Sequence, residues 1–207
     1  MPQAPVGLLL AAGRGRRFDA SGTRNKLLAR LPGGEPVSAA SARTLLSILP
    51  TVIAVVPPND GGVADLLRAL GCHVTVCLDA DSGMAASLVH GLQYSLSGSL
   101  PADAWVVALG DMPHVQPSTI EALCGALAQG ADIAVPVFDG RRGNPVGFGR
   151  RHVPALLALR GDQGARGIVR SHPVCEVGVD DAGVLLDIDT LSDLQGAAAP
   201  KNGTLPP

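Results

Sequence analysis

Apolar residues fall into short blocks along the chain, and the blocks alternate between two spacings. Residues 6–12 form a continuous apolar run ending at Gly13, as expected of a strand buried on both faces. Residues 37–48 carry apolar side chains at helical spacing and stop at Pro50. Residues 51–56 are mostly β-branched and end at Pro57 and Pro58, which predicts a second strand. Asp60 is placed to cap a helix running to Leu70, with Gly71 as a stop signal. Residues 73–78 alternate and predict a third strand, and 84–96 read as a helix after the loop 79–83. Residues 104–109 predict a fourth buried strand, and 117–128 a helix with Pro117 in its first turn.

This βαβαβαβα succession predicts an α/β fold, an open parallel sheet with helices on both faces and right-handed crossovers. The rhythm changes after Asp132. Residues 133–138, a turn over 139–144 and residues 145–148 predict a hairpin. Short helices are expected near 153–159 and 163–170, and short strands over 174–179 and 184–188. A last helix is expected over 190–194. The reading is one domain over 1–195, with a nucleotide-binding half at about 6–130 and an acceptor-binding half at about 131–195. The tail 196–207 is small, polar and proline-rich, and is expected to be disordered.

Composition narrows the chemistry. The 207 residues carry a formal charge of −2 and only five aromatic side chains, one Trp, one Tyr and three Phe. A near-neutral chain lacks the basic footprint of a nucleic-acid binder, and so few aromatics cannot build base-stacking platforms. No segment reaches the ~18 consecutive apolar residues of a membrane span, and the first residues lack a signal-peptide pattern. Cys72, Cys77, Cys124 and Cys175 form no CxxC pair, so free thiols in a cytoplasmic protein are expected rather than a zinc site.

Ligands of open α/β sheets sit at the carboxyl ends of the strands. The first such end reads Leu10, Ala11, Ala12, Gly13, Arg14, Gly15, Arg16, Arg17, Phe18. Two glycines and three arginines suit an anion-binding concavity of backbone N–H groups; the same residues also suit a solvated basic turn. The loop is neither a dinucleotide fingerprint nor a Walker A loop. Lys26 adds a cation near the same edge. The fourth strand runs into Gly110-Asp111, and a second acidic cluster stands at Asp187-Ile188-Asp189-Thr190. Carboxylates suit Mg²⁺, which takes one or two of them together with phosphate oxygens. Asp111 also suits a turn before proline, and Asp189 also suits a helix N-cap. Five scattered histidines, His73, His90, His114, His152 and His172, read as structural or surface residues.

The stretch 10–18, then Lys26-Leu27-Leu28, then Leu109-Gly110-Asp111-Met112-Pro113 resemble nucleotidyltransferases that carry a nucleoside monophosphate onto a phosphate acceptor. Four further stretches narrow the resemblance: Gly83-Met84-Ala85-Ala86-Ser87-Leu88, Arg142-Gly143-Asn144-Pro145-Val146-Gly147-Phe148, Gly161-Asp162-Gln163-Gly164-Ala165-Arg166 and Asp187-Ile188-Asp189-Thr190. In that order they are similar to the molybdenum cofactor cytidylyltransferases among the MobA-like NTP transferases. The resemblance spans roughly residues 6–194. Two stretches depart from it: the loop 19–25 is slightly long, with Ser21-Gly22-Thr23 inserted, and residues 37–40 are alanine-rich.

The resemblance implies a Rossmann-like, mostly parallel twisted sheet of the nucleotide-diphospho-sugar transferase type. It implies CTP and Mg²⁺ (or Mn²⁺), and transfer of CMP to the terminal phosphate of the molybdopterin cofactor with release of pyrophosphate. Gly13, Gly15 and Arg17 would hold the triphosphate with Lys26, and Leu10, Ala11, Ala12, Arg14 and Pro57 would complete the nucleotide site. Asp111 and Asp189 would bind metal. Gly83, Met84 and Ser87 would border the base. Arg142, Asn144 and Pro145 would face the pterin, and Asp162 and Arg166 the acceptor phosphate. A molybdoenzyme or its maturation chaperone is the implied downstream partner. The competing expectations are guanylyl or sugar-phosphate nucleotidyl transfer, and a non-catalytic nucleotide- or cofactor-binding module.

Overall fold

A computed structural model describes residues 4–13, 15, 17–19, 24–98, 102–162 and 164–196. The expected disordered tail beyond Gly196 lies outside the described residues. Four parallel strands form the regular part of the sheet: β1 (Val6–Leu10), β2 (Val52–Val56), β3 (His73–Val76) and β4 (Ala104–Leu109). They lie in the order β3-β2-β1-β4. Four helices connect them and lead on from β4: α1 (Val37–Leu46), α2 (Val63–Ala69), α3 (Met84–Ser97) and α4 (Pro117–Ala128). Asp60 does cap the start of α2, its carboxylate accepting from the Gly62 and Ala64 N–H groups.

Successive strand residues face opposite layers. Leu9, Ala54 and Val106 pack under α1, α2 and α4, against Leu45, Leu67 and Ile120. Leu8, Val55 and Val107 face the other way, against Leu88 and Leu92 of α3. Every residue of β1 and β2 is therefore buried, which explains the continuous apolar runs. Trp105 is buried in the second layer and donates its indole N–H to Ser95 at 2.9 Å.

Beyond β4 the chain folds back. β5 (Ile133–Phe138), β6 (Arg141–Arg142), β7 (Val146–Gly149) and β8 (Cys175–Gly178) complete an eight-stranded, mostly parallel sheet. Asp139 and Gly140 both have positive φ, the signature of a tight type I′ hairpin turn. The turn is thus shorter than the 139–144 expected. Val137 and Phe138 pair with β6, while Ile133 and Ala134 pair with β7. β8 pairs with residues 134–137 in parallel, so β6 and β7 must share the opposite edge of β5. They are one returning strand, interrupted by Gly143, Asn144 and Pro145. β7 also pairs antiparallel with β4 and so joins the two parts of the sheet.

Short helices α5 (Val153–Leu157) and α6 (Arg166–Ser171) cover the α3 face, through Leu156 and Ile168. One expectation is overturned: residues 184–188 are not a strand. Ala182–Leu185 is a 3₁₀ turn, because the Asp181 carboxylate accepts the Gly183 N–H at 2.9 Å and bends the chain. The last helix, α7, spans Leu191–Gly196. The four cysteines are free thiols, and burial pushes the Cys72 thiol up to about 11. Among the described residues no helix is long and apolar enough to cross a membrane.

Candidate active site

The carboxyl ends of β1 and β4 meet where the Gly110 N–H donates to the Leu10 carbonyl at 2.9 Å. Two loops leave from this point. The first turns over Gly15, whose carbonyl accepts the N–H groups of Phe18 and Asp19. Gly15 has φ +58°, and its α-carbon backs onto the Lys26 side chain. Farther on, the Asp19 carboxylate accepts the Arg24 N–H at 2.8 Å. Asn25 then opens a 3₁₀ turn over Lys26–Leu28, its side chain accepting the Leu27 N–H and donating to the Asp60 carbonyl.

That turn delivers Lys26 to the center of the site. Its side chain is only 6% exposed, an expensive place for an ammonium group unless it is paired. Nζ lies 2.7 Å from Asp111 Oδ2 and 3.1 Å from Asp189 Oδ1. Burial alone would lower the Lys26 pKa, but Asp111 and Asp189 outweigh it and hold it above its ordinary value. The exposed Arg17 guanidinium reaches Asp189 Oδ2 at 2.7 Å. Burial, reinforced by Asp189 and Asp111, pushes the Asp187 carboxyl up. Two carboxylates, those of Asp111 and Asp189, thus pair with two cations.

Asp111 follows β4 directly, and its backbone carbonyl accepts the Ile188 N–H at 2.9 Å. This bond brings the acidic stretch 187–189 alongside. Asp189 does not cap α7. Thr190 and Asp193 form a reciprocal cap, in which Asp193 Oδ2 accepts from the Asp189 and Thr190 N–H groups. The Asp189 carboxylate is thereby left to face Lys26 and Arg17. These hydrogen bonds also hold the Asp193 carboxyl below the usual range, that of Thr190 first.

The other oxygen of Asp111, Oδ1, is buried with no hydrogen-bond partner among the described residues. An orphaned carboxylate oxygen beside a second carboxylate is a hard donor set that fits a divalent cation such as Mg²⁺ or Mn²⁺.

A cavity of about 450 Å³ opens beside this cluster. Leu10, Ala12, Gly13, Lys26 and Asp111 line it from the β1–β4 side, and Gly83, Met84, Ser87 and Asp162 line it from the far side. Among the described residues its lining holds no aromatic side chain, in keeping with the composition. Gly83 has φ +113°, and a Cβ there would collide with Gly161 and Asp162. The Gly161 carbonyl accepts the Ala85 N–H at 3.0 Å, which fixes the 161–162 loop to the start of α3.

Not every expected residue reaches the cavity. Ala11 is buried behind it, bonded through its N–H to Val55. Pro57 follows β2 and does not line it. Arg142 pairs on the surface with Glu176 at 2.7 Å. The Asn144 N–H donates to the Val184 carbonyl, and Pro145 is buried beside Met112 and Val115. Arg166 is exposed at the start of α6. Arg14 lies outside the described residues.

Several contributors lack an obvious sequence signal. Leu27, Ala80, Asp81 and Leu109 also line the cavity. Ser38 and Ser41 are buried on α1 and donate to the carbonyls of Leu27 and Gly110, at 2.8 and 3.2 Å. These carbonyls adjoin Lys26 and Asp111, so one helix face fixes the backbone of both. Two polar residues three apart on an otherwise apolar face were the available clue.

Residues 7–176 match the family model described as MobA-like NTP transferase domain. The chain is 31% identical to the purine catabolism protein PucB of Bacillus subtilis, over 89% of this chain and 91% of that one. It is also 31% identical to a molybdenum cofactor guanylyltransferase of Cupriavidus necator, over 92% and 94%. The crystal structure of Rv0371c from Mycobacterium tuberculosis H37Rv superimposes with a TM-score of 0.81 at 28% identity, covering 95% of this chain and 98% of that one. A manganese complex of Rv0371c superimposes at 0.73 with 25% identity, covering 94% and 98%.

Proposed function

Because the chain belongs to the family of MobA-like NTP transferase domains, we propose that it transfers a nucleoside monophosphate from a nucleoside triphosphate to the terminal phosphate of a molybdopterin-type cofactor, releasing pyrophosphate. The observation that carries this reading is the placement of Lys26 between Asp111 and Asp189 at the mouth of the cavity.

Both reactants are polyanions, so their mutual repulsion is the first barrier. Lys26, Arg17 and the backbone around Gly13 and Gly15 neutralise and hold the triphosphate. Asp111 and Asp189 would hold a divalent cation, supported by the orphaned Asp111 oxygen and by the manganese complex of a related structure. Such an ion stabilises charge on the phosphates and orients them. A phosphate acceptor is largely ionised at pH 7, its second pKa being about 6. The acceptor oxygen therefore needs no general base: it attacks the α-phosphorus in line as the bond to the pyrophosphate oxygen breaks. Positioning and fixed charge supply the catalysis. Gly83, Met84 and Ser87 would border the base, and Asp162, which lines the same cavity, would lie near the acceptor phosphate.

Two base preferences follow from different observations. The ordered motifs favour CTP, giving the cytosine dinucleotide form of the cofactor. The Cupriavidus guanylyltransferase, similar over nearly the whole chain, favours GTP. Pyrophosphate release should be measured with each of the four NTPs, Mg²⁺ or Mn²⁺, and a molybdopterin-type acceptor. Turnover with CTP alone fixes the cytidylyl reading, and turnover with GTP alone the guanylyl one. Nucleotide binding without pyrophosphate release under every condition would leave a binding module and overturn the proposal.

A further inference from the structure

One buried acid outside the cavity ties its two acidic segments together. Asp181 is 2% exposed. Its Oδ2 accepts the Gln116 N–H at 2.8 Å and the Thr119 hydroxyl at 2.6 Å, and its Oδ1 accepts the Gly183 N–H at 2.9 Å. All three donors are uncharged. An ionised carboxylate this deep is costly unless several hydrogen bonds compensate it, and an apolar residue would fill the space without that requirement.

What Asp181 joins explains its presence. Gln116 and Thr119 belong to the end of the Asp111 loop and the first turn of α4. Gly183 belongs to the 3₁₀ turn that leads to Asp187 and Asp189. Downstream of Asp181, three further contacts follow. A Cβ at Gly183 would collide with the His114 carbonyl, so the two backbones touch. The Val184 carbonyl accepts the Asn144 N–H at 2.9 Å, and the Ile188 N–H donates to the Asp111 carbonyl at 2.9 Å. The segment 181–189 is thus fastened along the Asp111 loop, with Asp181 as its first anchor.

We infer that Asp181 is a positioning residue that sets the separation of the Asp111 and Asp189 carboxylates, and so the fit of the site to a divalent cation. The inference rests on the nucleotidyl-transfer reading for its purpose, but its test does not require turnover. Mn²⁺ binding would be followed by EPR in the presence of a non-hydrolysable NTP, alongside thermal melting and steady-state kinetics, for the wild type, Asp181→Asn and Thr119→Val. Asp181→Asn replaces one accepting oxygen with a donor; Thr119→Val deletes one hydrogen bond and keeps the shape.

Partners that orient metal ligands from outside typically contribute 10–100-fold in affinity, so Mn²⁺ affinity should fall about tenfold or more in Asp181→Asn. It should fall by a smaller factor in Thr119→Val. The kcat measured at sub-saturating Mn²⁺ should drop in both, because the metal-bound ground state is itself less populated. Lower melting temperatures with wild-type Mn²⁺ affinity and kcat would overturn the inference and leave Asp181 a purely structural acid. If Asp181→Asn does not fold, Thr119→Val decides, and unchanged Mn²⁺ affinity there overturns it. Absence of pyrophosphate release by the wild type would instead defeat the transfer reading, and the Mn²⁺ comparison would still test the positioning role.

Discussion

Strands β1, β2 and β4 lie side by side in simple parallel register, each followed by a helix that packs against the sheet. Strand β5 instead borders an interrupted returning strand on one edge and β8 on the other. The first region follows from repetition: each β-strand ends at the same edge, so its loops gather there without special contacts. That edge supplies Gly13, Lys26 and Asp111. The second region is irregular because it must bring Asp187 and Asp189 back to this edge from the far end of the chain. It does so with isolated hydrogen bonds accepted by the Asp181 carboxylate and donated by the Asn144 and Ile188 N–H groups. Regular packing builds the edge that carries the cavity, and individually placed polar contacts bring the distant acids to it.

The sharpest way to break the regular region's contribution is Asp111→Asn. Loss of an ion-stabilising carboxylate costs several kcal/mol in the transition state, so pyrophosphate release should fall about 10³-fold. Circular dichroism should show an intact fold. A variant with normal turnover would remove Asp111 from the chemistry.

Lys26→Met probes the contact between the two regions. Turnover should fall, but binding of Mn²⁺ without nucleotide should tighten by about tenfold, because two facing carboxylates lose the cation that neutralises them. The variant should melt lower than wild type without metal and recover when Mn²⁺ is added. Titration by EPR and melting curves with and without Mn²⁺ check both outcomes.

A gentler comparison uses pH. Burial holds the His114 and His152 imidazoles below the ordinary value of 6.5. Their pKa is depressed in the fold, so the unfolded chain takes up these protons first as pH falls. Stability attributable to them is fully present above 6.5 and is lost progressively as pH drops through their folded values. Melting temperature measured from pH 7.5 to 5 should decline over this window, and replacing His152 with Gln should flatten the decline.

The smallest effect is expected at Arg142→Ala. Its pair with Glu176 is half-exposed, so stability should change by less than about 1 kcal/mol. A raised KM for the acceptor with unchanged nucleotide KM would place the irregular region's outer strand in acceptor binding.

The legible parts of the molecule were those governed by local rules. Buried runs at 6–10, 52–56 and 104–109 and Pro117 at a helix start carry their signal within a few residues, whereas the hairpin turn expected over 139–144 closes already at Asp139 and Gly140. Residues 184–188 misread as a strand because their apolar content was visible, whereas the bend imposed by Asp181 depends on donors in another loop. Lys26 reads as a cation near the sheet edge, but not as a buried one. Its burial depends on Asp111 and Asp189, 85 and 163 positions away, and no local pattern encodes partners so distant. For the same reason Asp111, Asp189, Lys26 and Arg17 could each be nominated from their motifs, but not the ion pairs that join them.

The 163-residue span between Lys26 and Asp189 has a consequence for the order of assembly. A chain made from its amino end presents the glycine-rich turn and Lys26 early, and Asp111 joins once β4 pairs with β1. Asp189 arrives only after nearly all of the sheet has been made. Until then Lys26 has one carboxylate partner instead of two, and the last acid to arrive completes the neutralisation of its buried ammonium group.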